Sequence, residues 1–439
     1  MDKFFKISQR NSSVSTEIIG GMTTFLAMAY IIAVNPQMLS AAGMSFNAAL
    51  TATCLGAAVM TIAMGLIANR PIALASGMGV NAIVAFTLCL GETAVDWRVA
   101  MAIVFLEGVV ILLLVMCGLR KAVMDAIPVS LRRAIGIGMG LFIAFIGLKG
   151  GGIVVANEAT YISAGDLTSP ICIVAITSIV LAVILQARHV KGGLLISIIV
   201  ATIVGIPLGV TVMPTSWDFG LDFSAFAAPF QTVPGSDHMA IVEVFLQPAL
   251  LLFVFSLLMS DFFDTMGTVV AVGQQGEFTD KDGNIEDIQS ILMVDSAAAA
   301  VGGFTGASSI TSFAESTSGA AAGARTGLSN MVVGVLFLVF AFFAPIVGMV
   351  SGAATCGALV VVGYLMLSDV TEIDWSAIEH AFPAAITILG IPLTYSITNG
   401  IGFGFISYVI IMVALGKAKD VKPLMWISAL AFVTMFIFA

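Results

Sequence analysis

The chain has 439 residues, of which 59% are apolar and only 10% charged. Soluble domains run at about 45–50% apolar and about 25% charged, so a chain with a mean hydropathy of +1.09 cannot hide its apolar surface in a soluble fold, and a cytosolic enzyme is excluded. So low a charge density excludes intrinsic disorder, and a net charge of −9 with no long basic run argues against a nucleic-acid partner.

What remains is an all-α polytopic membrane protein, because the apolar runs are long and continuous rather than short and alternating as in a β-barrel. The stretch to Thr16 is polar and no cleavable leader is expected. Candidate spans then follow at about 17–34, 48–68, 72–90, 98–118, 131–148, 170–187 and 193–213. A second set lies at about 243–272, 288–303, 307–324, 327–347, 353–368, 380–397 and 400–416, and a last apolar run, 422–438, closes the chain with its crossing left open. With the N-terminus inside and each of fourteen segments crossing once, 15 of the 17 Lys and Arg fall inside, as the positive-inside rule requires. Only Arg98 and Lys149 fall outside. The five cysteines lie in or at the ends of apolar runs and read as small core residues. His189, His238 and His380 read as solvated residues of polar connections.

Seven crossings start the second set of seven on the opposite side, the parity of an inverted repeat. The third run of each set is abnormal. Pro71-Ile-Ala-Leu-Ala-Ser-Gly77-Met-Gly79 precedes a short apolar stretch, and Gly302-Gly303-Phe-Thr-Gly306-Ala-Ser-Ser-Ile-Thr-Ser precedes another. Neither stretch reaches the about 20 helical residues a span needs. The Gly and Ser content suits extended backbone leading into a half-helix, and paired interruptions of this kind point to a transporter's binding site.

Most acidic residues fall in connections, and Asp280-Lys-Asp282-Gly283-Asn284 reads as a solvated turn rather than a calcium loop. Others resist that reading. Asp261 and Asp264 sit within Leu257-Leu-Met-Ser-Asp-Phe-Phe-Asp-Thr-Met-Gly-Thr268, where a charge costs at least about 2.5–3.5 kcal/mol unless it faces a cavity or a partner. A spacing of four puts Asp264 and Thr268 on one helix face. Asp261 reads as a cap or pair near a membrane face, and Glu107 as an inter-helix contact. Arg325 is expected at the inner surface. Glu315 opens the second half-helix, where exposed N–H groups favour a carboxylate and can bind a ligand. Asn81 holds the matching place in the first and offers both a donor and an acceptor.

Four stretches carry a family resemblance: Gly21-Met-Thr-Thr-Phe-Leu-Ala-Met-Ala-Tyr30 with Asn35-Pro36, Ala75-Ser-Gly-Met-Gly-Val-Asn-Ala82, Phe263-Asp-Thr-Met-Gly-Thr268, and Glu315-Ser-Thr-Ser-Gly-Ala-Ala-Ala-Gly-Ala-Arg-Thr-Gly-Leu328. The chain resembles, end to end, the nucleobase–cation symporter-2 superfamily, xanthine/uracil permease-like, in its adenine/guanine/hypoxanthine permease branch. The resemblance implies about 14 transmembrane segments in two inverted seven-segment repeats, with segments 3 and 10 discontinuous. It implies a core domain of segments 1–4 (1–128) and 8–11 (240–350), and a gate domain of segments 5–7 (129–215) and 12–14 (351–439). Carried over by motif, the substrate-binding positions are Asn81, Asp264, Glu315, Phe313, Ala314, Thr268, Thr24 and Phe25. This sequence departs from the family's usual pattern at Ser76, at Ile83-Val84 and at Phe313-Ala314, which bears on base preference.

The expected function is uptake of purine nucleobases by proton symport across a bacterial inner membrane, the core rocking against the gate, with no cofactor, no metal and no enzymatic activity. A carboxylate such as Glu315 can accept ring N–H bonds, and a site that bonds specific edges rejects analogues lacking them. Proton coupling falls to Asp264 and Glu315. Asp264 is the better candidate, because apolar surroundings disfavour its charged form. Sodium is the less favoured coupling ion, and a homodimer through the gate domain is an analogy with relatives. The competing reading is an anion transporter or channel of the same architecture, against which the acid at 315 would act by repulsion. An intramembrane enzyme lacks a candidate base or metal cluster.

Overall fold

The structure, a computed structural model, describes residues 2–91, 94–118, 127–214, 217, 219–279 and 285–438, with only the backbone of 263, 369 and 438. Arg120, Lys121, Asp218, Lys281 and the turn Asp280-Lys-Asp282-Gly283-Asn284 lie outside the described residues.

Among the described residues, nine helical spans of 18 residues or more are apolar enough to cross a bilayer, which makes this an integral membrane protein. In chain order the first repeat holds α1 (Val14–Met28), α2 (Ile31–Ala41), α3 (Phe46–Ile67), β1 (Leu74–Ser76), α4 (Met78–Ala82, prolonged as a π-helix over Ile83–Cys89), α5 (Trp97–Met116), α6 (Val129–Gly150), the hairpin β2 (Val154–Asn157) and β3 (Tyr161–Ala164), α7 (Pro170–Ala187) and α8 (Gly193–Gly205). The second holds α9 (Pro248–Gln275), α10 (Ile288–Thr305), β4 (Ile310–Ser312), α11 (Ser316–Ala321), α12 (Leu328–Phe340), α13 (Gly352–Met366), α14 (Ile378–Leu393) and α15 (Ile397–Ala414), after which α16 (Pro423–Phe438) closes the fold. The first expected span is longer than read: α1 and α2 break only at Ala29–Tyr30 and together form one stretch, Val14–Ala41. His380, expected in a connection, lies in the first turn of α14.

The repeat is visible in the packing. α3 packs on α12 and α5 on α10; α1 packs on α12 and α9 on α5; α7 packs on α13 and α14 on α6. Each second relation is the first with every element moved seven segments along. The elements that match each other, α3 with α10 and α6 with α13, also meet directly.

So do the two interruptions. β1 and β4 pair antiparallel, Leu74 opposite Ser312 and Ser76 opposite Ile310. The ladder is extended by Gly77 N–H donating to Ser309 O at 2.9 Å and Phe313 N–H donating to Ala73 O at 2.9 Å. Two short strands at membrane depth thus satisfy each other, since no water is there to do so. Side chains complete the account: Thr61 Oγ1 bonds both the N–H and the C=O of Leu74 at 2.9 Å, and Asn330 Nδ2 donates to the carbonyls of Arg70 and Ile72 at 3.0 and 2.9 Å. Gly306, at φ +84°, ends α10 in the left-handed region and turns the chain toward β4. A side chain there would also meet Ala225 at 2.6 Å.

At the end of the molecule shared by the N-terminus, charged groups knit the connections. Buried Arg70 donates to Glu286 and Asp287 at 2.7 Å and lies over the Phe278 ring. Arg10 donates to Asn69 O. The Arg325 and Thr326 N–H groups donate to buried Glu17 at 2.8 and 3.3 Å. Arg325 itself reaches Glu277 at this end.

Candidate functional site

A cavity of about 480 Å³ opens where the strand pair gives way to its half-helices, a volume within the range of small-molecule sites. One wall is polar and comes from α1, β1–α4, α9 and β4–α11: Thr23, Tyr30, Gly77 to Gly79, Asp264, Thr268 and Ser312 to Glu315. The facing wall is largely apolar and comes from α6 and α13: Met139, Ile143, Val362, Leu365 and Met366. The α7–α8 connection, from His189 to Gly193, closes one side.

The sequence reading brought Asp264, Thr268, Phe313, Ala314 and Glu315 to one site, and all five line this cavity. Asp264 and Thr268 share the face their spacing of four implied, and Asp264 is within electrostatic reach of Glu315. Three other expected positions lie elsewhere. Thr24 packs toward Gly319 of α11, and Phe25 stacks edge-on to Phe337 with ring centroids 5.2 Å apart. The cavity face of the first segment is instead Thr23, Ala27 and Tyr30, spaced by four and three. Asn81 is wholly buried and outside the lining, and neither atom of its amide has a hydrogen-bond partner among the described residues. Asp261, expected near a membrane face, is buried at the fourteenth of the 28 residues of α9, midway along the helix.

Two site residues escaped the sequence reading. Tyr30, buried to 1% exposure, donates its hydroxyl to Glu315 Oε1 at 2.6 Å. The distance is that of a short O–H···O hydrogen bond. It fixes the direction of the carboxylate from a neighbouring helix. Asp295 of α10 anchors the strand beneath. Its Oδ1 accepts from Ser312 N at 2.8 Å and Ser312 Oγ at 2.7 Å, and its Oδ2 accepts from Thr265 Oγ1 at 2.7 Å. Thr265 also bonds Thr311 Oγ1 at 2.9 Å. This buried network ties α9, α10 and β4 together directly under the half-helix that carries Glu315. Asp295 is the one charged residue in the largely apolar run 288–303, the same signal that drew attention to Asp264. Tyr30 lay inside a recognised stretch but carries no charge to flag it.

The Permease family profile matches residues 15–403 of the chain. The adenine permease AdeP of Escherichia coli (strain K12) is 39% identical over 439 residues, covering 100% of this chain and 96% of that protein. The guanine/hypoxanthine permease PbuG of Bacillus subtilis (strain 168) is 38% identical over 447 residues and covers both chains fully. Among solved structures, the transmembrane domain of the cyanobacterial bicarbonate transporter BicA superposes with a TM-score of 0.65 at 15% identity, covering 88% of this chain and 97% of that one, a likeness of fold alone. With a profile match over most of its length and relatives alike from end to end, the chain belongs to the permease family of nucleobase–cation symporter-2 transporters.

Proposed function

We propose that the protein takes up purine nucleobases, hypoxanthine, guanine or adenine, by secondary active proton symport. The observation that carries the reading is the Glu315 carboxylate. Tyr30 occupies one of its oxygens, and the other can accept a ring N–H from a flat base lying against Phe313. Asp264 and Thr268 stand on the same wall to meet further polar edges of the ring. The names of the relatives, adenine permease and guanine/hypoxanthine permease, support the purine class.

In this reading residues 1–128 and 240–350 form a core that moves against a gate of 129–215 and 351–439, with the N-terminus cytoplasmic in a bacterial inner membrane and dimer contacts through the gate. Asp264 and Glu315 hold the coupling proton between them, since two carboxylates at one cavity carry a charge that opposes passage through an apolar surround. The same two acids disfavour an anion as cargo.

The test is uptake of labelled hypoxanthine into proteoliposomes in competition with adenine, guanine, xanthine and uracil, under an imposed pH gradient or an imposed sodium gradient. Competition by purines and accumulation driven by the pH gradient are expected. Flux of labelled sulfate or chloride in place of the base, or accumulation that follows sodium, would refute the cargo or the coupling ion respectively.

A further inference from the structure

Behind the cavity wall the structure holds a second acidic group that the reading above does not use. Glu107 lies near the middle of α5, with no exposed surface. Both of its carboxyl oxygens are buried and accept no hydrogen bond from any described residue. It sits where α5 crosses α10 in backbone contact: a side chain at Gly108 would meet the Ala300 nitrogen at 2.1 Å, and one at Gly303 would meet the Phe105 nitrogen at 2.4 Å. The two helices are therefore packed backbone to backbone beside it.

The charged groups that act on Glu107 are Asp261 of α9, first, and Asp295 of α10. The other elements packed on α5, at Ile83–Cys89, Ala228–Phe230 and Ala240–Leu246, bring two titratable groups. Cys89 faces Asp96, and Glu243 accepts the Ser236 hydroxyl. Among the described residues neither acts on Glu107, and no cation does. The three acids are therefore not equivalent. Asp295 is surrounded by donors from Thr265, Thr311 and Ser312. Glu107 has none. An ionised carboxylate without donors, removed from water and beside like charge, is the costliest arrangement a side chain can adopt.

We propose that Glu107 and Asp261 form a second proton-binding site of the core, in which one proton is held between the two carboxyl groups. Asp261 is one helical turn from Asp264 on α9, so the site stands directly behind the acid that lines the cavity. Movement of the proton breaks an O–H bond on one carboxyl and makes one on the other, with no change in total charge. Its release from the pair leaves the core one charge more negative. The inference rests on the proton-symport reading for its role in transport, but the existence of the site does not.

The test has two arms. In purified protein, infrared difference spectroscopy between acid and alkaline buffer should show the C=O band of a protonated, desolvated carboxyl that titrates in the wild type and is lost in Glu107→Gln. Absence of the band in the wild type overturns the site outright. If Glu107→Gln fails to fold, Asp261→Asn serves, and should shift the band, since it removes the partner that shares the proton; an unmoved band overturns the pair. In proteoliposomes, Glu107→Gln should retain purine counterflow while the proton-to-purine ratio falls by one. An unchanged ratio in a variant that still exchanges purine would reduce Glu107 to a permanently neutral packing residue and refute the inference. Wild-type protein that exchanges no purine would refute the functional reading instead, and leaves the infrared result to decide the site.

Discussion

Replacing Tyr30 by Phe removes one oxygen and nothing else. The ring is 1% exposed and stays in its packing, so the fold should survive. What is lost is the hydroxyl donor 2.6 Å from Glu315 Oε1. A hydrogen bond to a charged group is worth about 1.5–3 kcal/mol. Without it the carboxylate loses its donor from the first segment, and more of its orientation must be supplied by the ligand at each binding event. If that whole cost is met on binding, purine affinity falls by about tenfold to about a hundredfold, at about 1.4 kcal/mol per tenfold. The assay is equilibrium binding of hypoxanthine to detergent-purified wild type and Tyr30→Phe, with thermal melting of each alone. An affinity within twofold of wild type would refute the reasoning, because Glu315 would then need no positioning from the first segment. A large fall in the melting temperature with affinity intact would make the bond a stabilising contact of the core and no part of recognition.

Three further outcomes are expected. Glu315→Gln should reach the membrane and abolish purine binding, measured on the same purified protein; binding at wild-type strength would remove Glu315 from the site. Asp264→Asn should keep purine counterflow but lose the proton carried at the cavity, so that accumulation driven by a pH gradient falls; accumulation undiminished in that variant would place this proton on another acid. Asn81→Ala, at a buried amide that bonds nothing among the described residues, should weaken or reorder purine affinities if that amide turns to meet the base; changes within about twofold, below the roughly 0.5 kcal/mol floor for a net hydrogen bond, would make Asn81 a packing residue.

What the sequence made legible was whatever is paid in whole residues of the wrong kind. Apolar run length gave the spans, and Gly, Ser and Pro clusters at 71–79 and 302–312 gave the two interruptions, because both are properties of composition over a window. Asp264 and Glu315 stood out because a charge in an apolar run demands a reason. What remained hidden depends on which side of a helix faces the cavity. In the first segment the cavity is lined by Thr23, Ala27 and Tyr30 rather than by Thr24 and Phe25, and the run Gly20–Met28 is apolar or small on every side and offers no pattern to separate Thr23 from Thr24. Asn81 was placed by its position in a half-helix, and the π-helix that begins at Ile83 shifts the residue-to-face relation of that segment. The pairing of β1 with β4 joins positions more than two hundred residues apart in sequence, and no local signal in either strand names its partner.

The two walls of the cavity differ in a way that bears on how such a site could move. Every described hydrogen bond that shapes the polar wall, Tyr30 to Glu315, Asp295 to Ser312 and Thr265, and the strand pair itself, joins elements of the same proposed core. The opposite wall offers Met139, Ile143, Val362, Leu365 and Met366, which hold no hydrogen bond to Glu315 or Asp264. The contact recorded between the walls is soft: the Ser260 hydroxyl rests on the Met139 sulfur at 3.0 Å, a weak acceptor on a side chain that repacks easily. Under the proposed rocking motion the core would carry its ligand and the hydrogen-bond network of its polar wall past the gate, and the strong bond that must give way is the one Thr355 Oγ1 of the gate donates to Gln37 Oε1 of the core at 3.0 Å. What the apolar wall does penalise is net charge. On the proposed reading, a core whose carboxylates are met by ligand N–H groups and protons would pass it and one left ionised would not, and that difference would couple purine movement to proton movement.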